Sequence, residues 1–193
     1  MKKLLLALFL PLLISLPANA LIELRAGYGL ITPSDDFGSG AELASFAGFN
    51  ADAIFELPMF PLGLGLRYES MGSALQASGQ ADVDAEFTRT SLLVNYRIID
   101  LFLYFGPIAT IGFQNDAKFT NFPVIGNIEM STDLTYTVGV EAGVSLGLFM
   151  VGAELGYFLG GDFDIDSPAG ATFTGGTYNM DGLYAKAIVG VGF

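Results

Sequence analysis

An all-β fold, an eight-stranded antiparallel β-barrel with up-and-down topology, is the architecture that this sequence predicts. Three features predict it: polar and apolar residues alternate in eight long segments, short and long connections alternate between them, and an export signal precedes them. Composition agrees, because 52% of the 193 residues are hydrophobic and 25 are Gly. The chain is therefore too apolar to be disordered and too rich in Gly and aromatic residues for a helical bundle.

Residues 1–20 have the organisation of a signal peptide. Lys2 and Lys3 form a short basic start, an apolar run covers Leu4–Leu16, and Ala18-Asn19-Ala20 supplies a cleavage pattern before Leu21. An uncleaved membrane anchor is the alternative, but the apolar run is too short for one. We therefore divide the chain into a cleaved signal peptide, 1–20, and a β-barrel, 21–193.

The eight predicted strands differ in how regularly they alternate. The cleanest begin near Ile22, Leu62, Leu134 and Gly182, and the less regular ones cover Ser45–Leu57, Ala85–Ile99, Phe102–Gln114 and Met150–Leu159. The exceptions are Ile54, Leu93, Ile108 and Phe158 on the polar face and Thr88 and Thr90 on the apolar face. Alternation with a period of two predicts strands that have one polar and one apolar face.

The connections between these strands are of two kinds. Short ones fall near Pro58–Pro61, Asp100 and Gly147–Leu148, whereas long ones cover Thr32–Ala44, Ser73–Asp84, Asn115–Met130 and Gly160–Asn179. Short turns at one end and long polar loops at the other are typical of an outer-membrane barrel. An even number of strands places both termini at the short-turn end.

Aromatic residues on the apolar face lie near the ends of the predicted strands. Those near the loops are Tyr28, Phe49, Tyr68, Phe113, Tyr136 and Tyr157, and those near the turns are Phe55, Tyr96, Phe105, Phe149 and Phe193. Two girdles of aromatic rings are expected at the two membrane interfaces of a transmembrane barrel. The apolar face is therefore predicted to meet lipid; the alternative is a soluble periplasmic β-barrel that binds a ligand on an apolar inner face.

The last strand ends on Phe193 after alternating Ala187, Val189 and Val191. This resembles the C-terminal signal of outer-membrane barrels, although Ala185 stands where that signal usually has Tyr. Over 21–193 the chain resembles the small OmpA/OmpX-type eight-stranded outer-membrane barrels, in the form without a peptidoglycan-binding domain. The resemblance implies an outer-membrane location among lipid and lipopolysaccharide, periplasmic termini, four extracellular loops, and recognition of the strand ending at Phe193 by the barrel assembly machinery.

Six acidic and five basic residues fall on the polar face of the strands. Because an eight-stranded barrel is just filled by its own side chains, these charges are expected to pair inside it. The predicted lumen network comprises Arg25, Asp52, Glu56, Arg67, Glu69, Arg97, Glu141, Glu154 and Lys186. We expect Lys186 to pair with Glu154, and Arg67 with Glu141 or Glu69, so that the network plugs the lumen, as the resemblance also implies.

A narrow water-filled pore is the alternative to a plug, because glycines on the polar face leave space. They include Gly63, Gly65, Gly139, Gly143, Gly152 and Gly156. The first hypothesis for function is therefore a barrel with a structural or surface-interaction role, and the second is a pore for small solutes.

Other classes of function are disfavoured by what the sequence lacks. The net charge of −12 opposes nucleic-acid binding, and the absence of His and Cys removes the usual catalytic bases and thiols. We expect no enzyme activity and no cofactor. The acidic loops are candidates for binding surface ligands, and Asp162, Asp164 and Asp166 form a weak candidate Ca²⁺ site, since Ser167 replaces the Gly of a calcium loop.

Overall fold

The computed structural model describes residues 21–34, 45–57, 60–75, 83–122, 126–132, 134–160, 162–166 and 178–193. The predicted signal peptide, 1–20, lies outside these residues. Within them, no helix is long and apolar enough to cross a membrane.

Eight long antiparallel strands close into one barrel, as predicted. They are β1 (Ile22–Pro33), β2 (Phe46–Glu56), β3 (Leu62–Leu75), β4 (Val83–Tyr96), β5 (Leu103–Phe122), β6 (Thr135–Leu146), β7 (Phe149–Leu159) and β8 (Gly182–Gly192). Each strand pairs with the next, and β8 pairs with β1 from Glu23↔Gly192 to Pro33↔Gly182. Closure leaves the barrel without the unpaired edges of an open sheet.

The closing seam is hydrogen-bonded to its last residue. The amide of Ile22 donates to the carbonyl of Phe193 at 3.0 Å, and the amide of Phe193 donates to the carbonyl of Ile22 at 2.9 Å. At the same end of the barrel the turn between β6 and β7 is tight, and Gly147 adopts a φ of 68° in it, a conformation that side chains with a Cβ disfavour.

The loop end of the barrel is more regular than the sequence predicts. The strand Gly126–Ser131 pairs with β5 inside the predicted loop Asn115–Met130. Two further strands, Asp162–Asp166 and Tyr178–Asn179, lie within the predicted loop Gly160–Asn179, and the first of them pairs with Gly126–Ser131. The sheet therefore continues beyond the barrel wall, and parts of these two long connections are strands.

The reason is that the strand pattern reverses its polarity towards the loops. In the middle of β4, Leu92 is exposed on the outside and Arg89 is buried inside. Nearer the loop, Phe87 and Ala85 are buried inside, and Glu86 is exposed on the outside. β4 thus leaves lipid and enters water without interruption. Its neighbour β5 likewise continues to Phe122, whereas the predicted strand ends at Gln114.

Two tyrosines fill the part of the lumen that borders β6 and β7. The ring of Tyr104 lies on Gly143 and Gly152, and the ring of Tyr184 lies on Gly139 and Gly156. A Cβ at any of these four positions would collide with the ring above it. These glycines therefore make room for aromatic rings, and the expectation that they leave space for water is wrong.

The packing of Tyr104 on Gly152 predicts the effect of adding one methyl group. We expect Gly152→Ala to lower the free energy of unfolding by about 1–3 kcal/mol, because the Tyr104 ring must move. Adding Tyr104→Phe should restore part of the loss, since the phenolic oxygen is the atom nearest to the new methyl group. The measurement is urea unfolding of the folded barrel in lipid vesicles.

Gly72→Ala is the matched control, because a Cβ there would meet only the carbonyl oxygen of Ala85, at 3.8 Å. We expect it to unfold like the unmodified protein. Equal stability of the Gly152→Ala and Gly72→Ala variants would show that the Tyr104 ring is not fixed on the glycines.

Candidate functional site

The barrel carries its apolar residues outside and its charges inside. On the outer wall, Leu66 and Val138 are exposed over half or more of their surface, whereas Arg67, Glu141 and Glu154 inside have none exposed. A soluble ligand-binding barrel has the reverse arrangement, so that alternative is wrong. An apolar wall that encloses charged residues is suited to lipid.

The predicted girdle residues all lie on this outer wall. Tyr28, Phe49, Tyr68, Tyr96, Phe105, Tyr136, Tyr157 and Phe193 are each exposed. Tyr28 and Phe49 also contact each other across β1 and β2, with ring centroids 5.1 Å apart in an edge-to-face arrangement. Their placement is the one expected of rings that lie at membrane interfaces.

A turn-side cluster of two arginines and two glutamates occupies the lumen near the short turns. Arg25 contacts Glu23 at 2.6 Å and Glu141 at 2.7 Å, and Arg97 contacts the same two carboxylates at 2.7 Å and 3.3 Å. Asn95 donates a further hydrogen bond to Glu141 at 2.8 Å. Each arginine bridges both glutamates, so the four side chains form a closed ring that joins β1, β6 and the end of β4.

Two carboxylates lie at the rim of this cluster. Glu56, a predicted member of the network, is 3.9 Å from Arg97, and Asp100 is 3.4 Å from it. Both side chains are partly exposed, so they lie at the turn-side mouth of the lumen. Asp100 belongs to a two-residue strand, Ile99–Asp100, that pairs with the start of β5.

A central cluster spans the width of the barrel. Arg67 on β3 forms two parallel hydrogen bonds to Asp52 on β2, at 2.8 and 2.7 Å, and reaches Glu154 on β7 at 2.8 Å. Asn50 donates to Asp52 at 3.0 Å. Because β3 and β7 lie four strands apart in a closed barrel of eight, the guanidinium group bridges opposite walls.

A loop-side cluster lies above the central one. Glu69 accepts hydrogen bonds from Lys186 and, at 2.7 Å, from Arg89. Arg89 also donates to the hydroxyls of Thr135 at 2.7 Å and Thr110 at 2.8 Å, so its guanidinium group is well satisfied. This cluster connects β3, β4 and β8 to the two threonines on β5 and β6.

The ion pairs expected from the sequence are therefore wrong, although the residues themselves lie in the lumen. Lys186 faces Glu154 in register, yet its amine reaches Glu69, because Glu154 is bound by Arg67. Glu141 is bound by arginines of the turn-side cluster, which leaves Arg67 to pair with Asp52. In a narrow lumen, long side chains reach across the barrel as readily as they reach sideways, and strand register alone cannot distinguish these partners.

Two residues of these clusters are missing from the predicted network. Glu23 and Arg89 are both buried and each binds another charged side chain. Both lie on the polar face of their strands, which is the feature that identified the other members of the predicted network and could have identified these two.

An apolar cap lies in the lumen on the loop side of the charged clusters. Its fully buried members are Ile31, Phe46, Met71, Phe87, Phe158 and Met180. Phe87 packs edge-to-face against Phe46, at 6.4 Å between centroids, and against Phe158, at 5.8 Å. Phe158, which interrupted the polar face in the sequence, is a member of this cap, and Ile54, Leu93 and Ile108 form a second buried apolar cluster within the lumen.

The candidate calcium residues lie on a strand. Asp162, Asp164 and Asp166 belong to the strand that pairs with Gly126–Ser131, so the backbone there is extended and does not form the coiled loop of a calcium site. Their side chains are outside the described part of the structure. In the described part, no group of three or more acidic, His or Cys residues could hold a metal ion.

The fold is shared with small outer-membrane barrels of known structure. Neisserial surface protein A is 15% identical, with 89% of this chain and 97% of that chain covered and a TM-score of 0.61. OprG of Pseudomonas aeruginosa (14% identity, 89% and 95% covered, TM-score 0.56) and Ail of Yersinia pestis (16%, 89% and 95%, 0.52) are similar. No protein-family model and no curated protein matches the sequence. At these identities the likeness shows the fold, and the predicted OmpA/OmpX-type architecture is confirmed at that level.

The central cluster predicts a large loss of stability when its cation is removed. We expect Arg67→Met to lower the free energy of unfolding by about 3–5 kcal/mol, because Asp52 and Glu154 then lose a shared partner while remaining buried. The combination of Arg67→Met with Asp52→Asn and Glu154→Gln should recover most of this loss, since no buried charge then lacks its partner. Urea unfolding in lipid vesicles measures both effects.

Lys118→Met provides the comparison, because it breaks an exposed ion pair with Glu129, 3.1 Å long, at the loop end. That pair should contribute less than about 1 kcal/mol. If Arg67→Met cost no more than Lys118→Met, the central cluster would contribute nothing to the stability of the barrel.

Proposed function

We propose that this chain is a bacterial outer-membrane barrel whose lumen is sealed and whose role is structural or one of surface interaction. The observation that supports it best is the filling of the lumen: within the described residues, each of the five buried cations is bound by a buried carboxylate. The apolar cap adds a second layer. In the proposed sealed barrel, a solute would have to break ion pairs of these clusters and displace the apolar cap in order to pass.

The proposed orientation rests on the arrangement common to outer-membrane barrels, in which short turns face the periplasm. The short turns and both termini of the barrel, next to Ile22 and Phe193, then face the periplasm, and the loop-end sheet faces the exterior. That sheet carries charged side chains on its outer face, including Glu86, Lys118 and Glu129, which are exposed. Its acidic, water-facing surface is the part of the molecule available for surface ligands, and lipopolysaccharide and lipid surround the wall below it.

The remaining expectations belong to the same proposal. The barrel assembly machinery recognises the strand that ends at Phe193, whose ring is exposed on the outer wall. The protein is not an enzyme and needs no cofactor, because the buried carboxylates are held in ion pairs and no His or Cys is present in the sequence. Its proposed contribution to the envelope is structural or one of surface interaction.

Single-channel recording in planar bilayers distinguishes a sealed barrel from a narrow pore. We expect the folded protein to be silent, and Phe87→Ala to remain silent because the ion clusters persist beneath the cap. Replacement of Phe87, Asp52, Arg67 and Glu154 together by small neutral residues (F87A, D52S, R67S and E154S) should open a path and produce discrete current steps.

Gel mobility before and after heating shows that each variant is folded when it is recorded. Discrete steps from the unmodified protein would contradict the sealed lumen and favour the narrow pore. Silence of the quadruple variant in its folded form would show that the cap and the central cluster are not what blocks the barrel.

A further inference from the structure

The turn end of the barrel is apolar on its outside down to the turns themselves. Exposed apolar residues there are Leu21 and Phe193 at the ends of the barrel chain, Phe60 after β2, Ile98, Ile99, Leu101 and Phe102 between β4 and β5, and Leu146, Leu148 and Phe149 around the tight turn after β6. Each has between 46% and 69% of its surface exposed, as much as the residues of the lipid-facing wall. We refer to these residues as the apolar rim.

The charged residues at this end point inward. Arg97 and Asp100 lie within or beside the turn between β4 and β5, yet Arg97 is buried in the turn-side cluster and contacts Asp100 at 3.4 Å. Among the described residues from 97 to 102 there is no other charge. The rim therefore presents hydrocarbon outside while its ions face the lumen.

Backbone hydrogen bonds connect the segments of the rim. The amide of Arg97 donates to Pro61 in the neighbouring turn at 2.8 Å, the amide of Ser145 donates to Phe102 at 2.8 Å, and the amide of Gly192 donates to Leu148 at 2.8 Å. Each of these hydrogen bonds links one turn to the next chain segment around the barrel. Such pairing is what a backbone needs where water is scarce, because unpaired polar groups are costly in lipid.

From these observations we infer that the apolar rim is immersed in the membrane and that lipid of the turn-side leaflet surrounds the turns. The apolar rim is continuous with the lipid-facing wall, because no band of polar residues separates it from the outer surface of β4 to β8. An apolar ring of this size in water would favour association. The barrel therefore ends inside the interfacial region of the bilayer, and its turns do not project into the aqueous phase.

The form of the rim favours lipid over a protein partner. A partner would cover one side of the barrel, whereas exposed apolar residues occur at all three short turns and at both ends of the barrel chain. The opposite end of the same molecule shows what a water-facing end looks like, since Glu86, Lys118 and Glu129 are exposed there. The proposal is independent of whether the lumen conducts, because it concerns only the outer surface.

Depth-dependent fluorescence quenching tests this placement directly, because the chain contains no Trp. Two single variants, F102W and L148W, place an indole in two different turns. They are folded into phosphatidylcholine vesicles that carry bromine near the ester end or at the middle of the acyl chains. We expect bromine near the ester end to quench both variants, and aqueous acrylamide to quench them several-fold less than an indole in water.

Two control variants calibrate the measurement. L155W places an indole on the wall of β7 and should be quenched best by bromine at the middle of the acyl chains. K118W places one at the loop end, where the side chain is largely exposed, and should respond to acrylamide alone. Heat-dependent gel mobility confirms that each variant is folded, and the two turn variants are independent, so the loss of one leaves the test intact.

Two results would overturn the proposal. If F102W and L148W responded to acrylamide as strongly as K118W, the turns would lie in water. If they were protected from acrylamide without being quenched by bromine, and this protection increased with the protein-to-lipid ratio, a second copy of the chain would be the occupant in place of lipid.

Discussion

The pairing of buried charges across a narrow lumen is the constraint on which the rest of this barrel depends. Arg67 joins β2, β3 and β7, the turn-side cluster joins β1, β4 and β6, and the loop-side cluster joins β3, β4 and β8. Because the outer wall meets lipid that is as apolar as its own side chains, wall residues gain little from contacting one another. The interior therefore supplies the specific contacts that hold opposite walls together.

Buried ion pairs of this kind determine register more than they add stability. Removing charges from water is costly, and the attraction between them repays that cost only when hydrogen bonding is nearly complete. A slip of one residue along β3 would place Arg67 on the lipid-facing side, where a basic residue near the midplane costs about 2–4 kcal/mol. A slip along β7 would do the same to Glu154. The clusters thus select one register among alternatives that pair their backbones equally well.

How much the sequence could predict follows from the range of each interaction. Alternation is a local property, so it identified the eight strands, the outward aromatics such as Tyr68 and the inward charges such as Glu141. The partner of Lys186 depends on Glu69 and Arg67, three strands away on β3, and a local pattern carries no information about which carboxylate is already occupied. Phe158 shows the same limit: it interrupts the polar face as a sequence feature, yet in three dimensions it completes an apolar cap with Phe46 and Phe87.

The two ends of the barrel differ in which side chains face outward, and the proposed position in the bilayer rests on this difference. At the loop end the strands continue while their polarity reverses, so Phe87 turns inward and Glu86 outward as they would in a soluble sheet. At the turn end no reversal occurs: Arg97 stays inside with Glu23, and Phe102 stays outside. A reversal is needed only where a strand crosses into water. Because no reversal occurs at the turns, the proposed position has the chain reversing direction before it leaves the membrane, and the water-facing surface of the molecule then lies at its loop end.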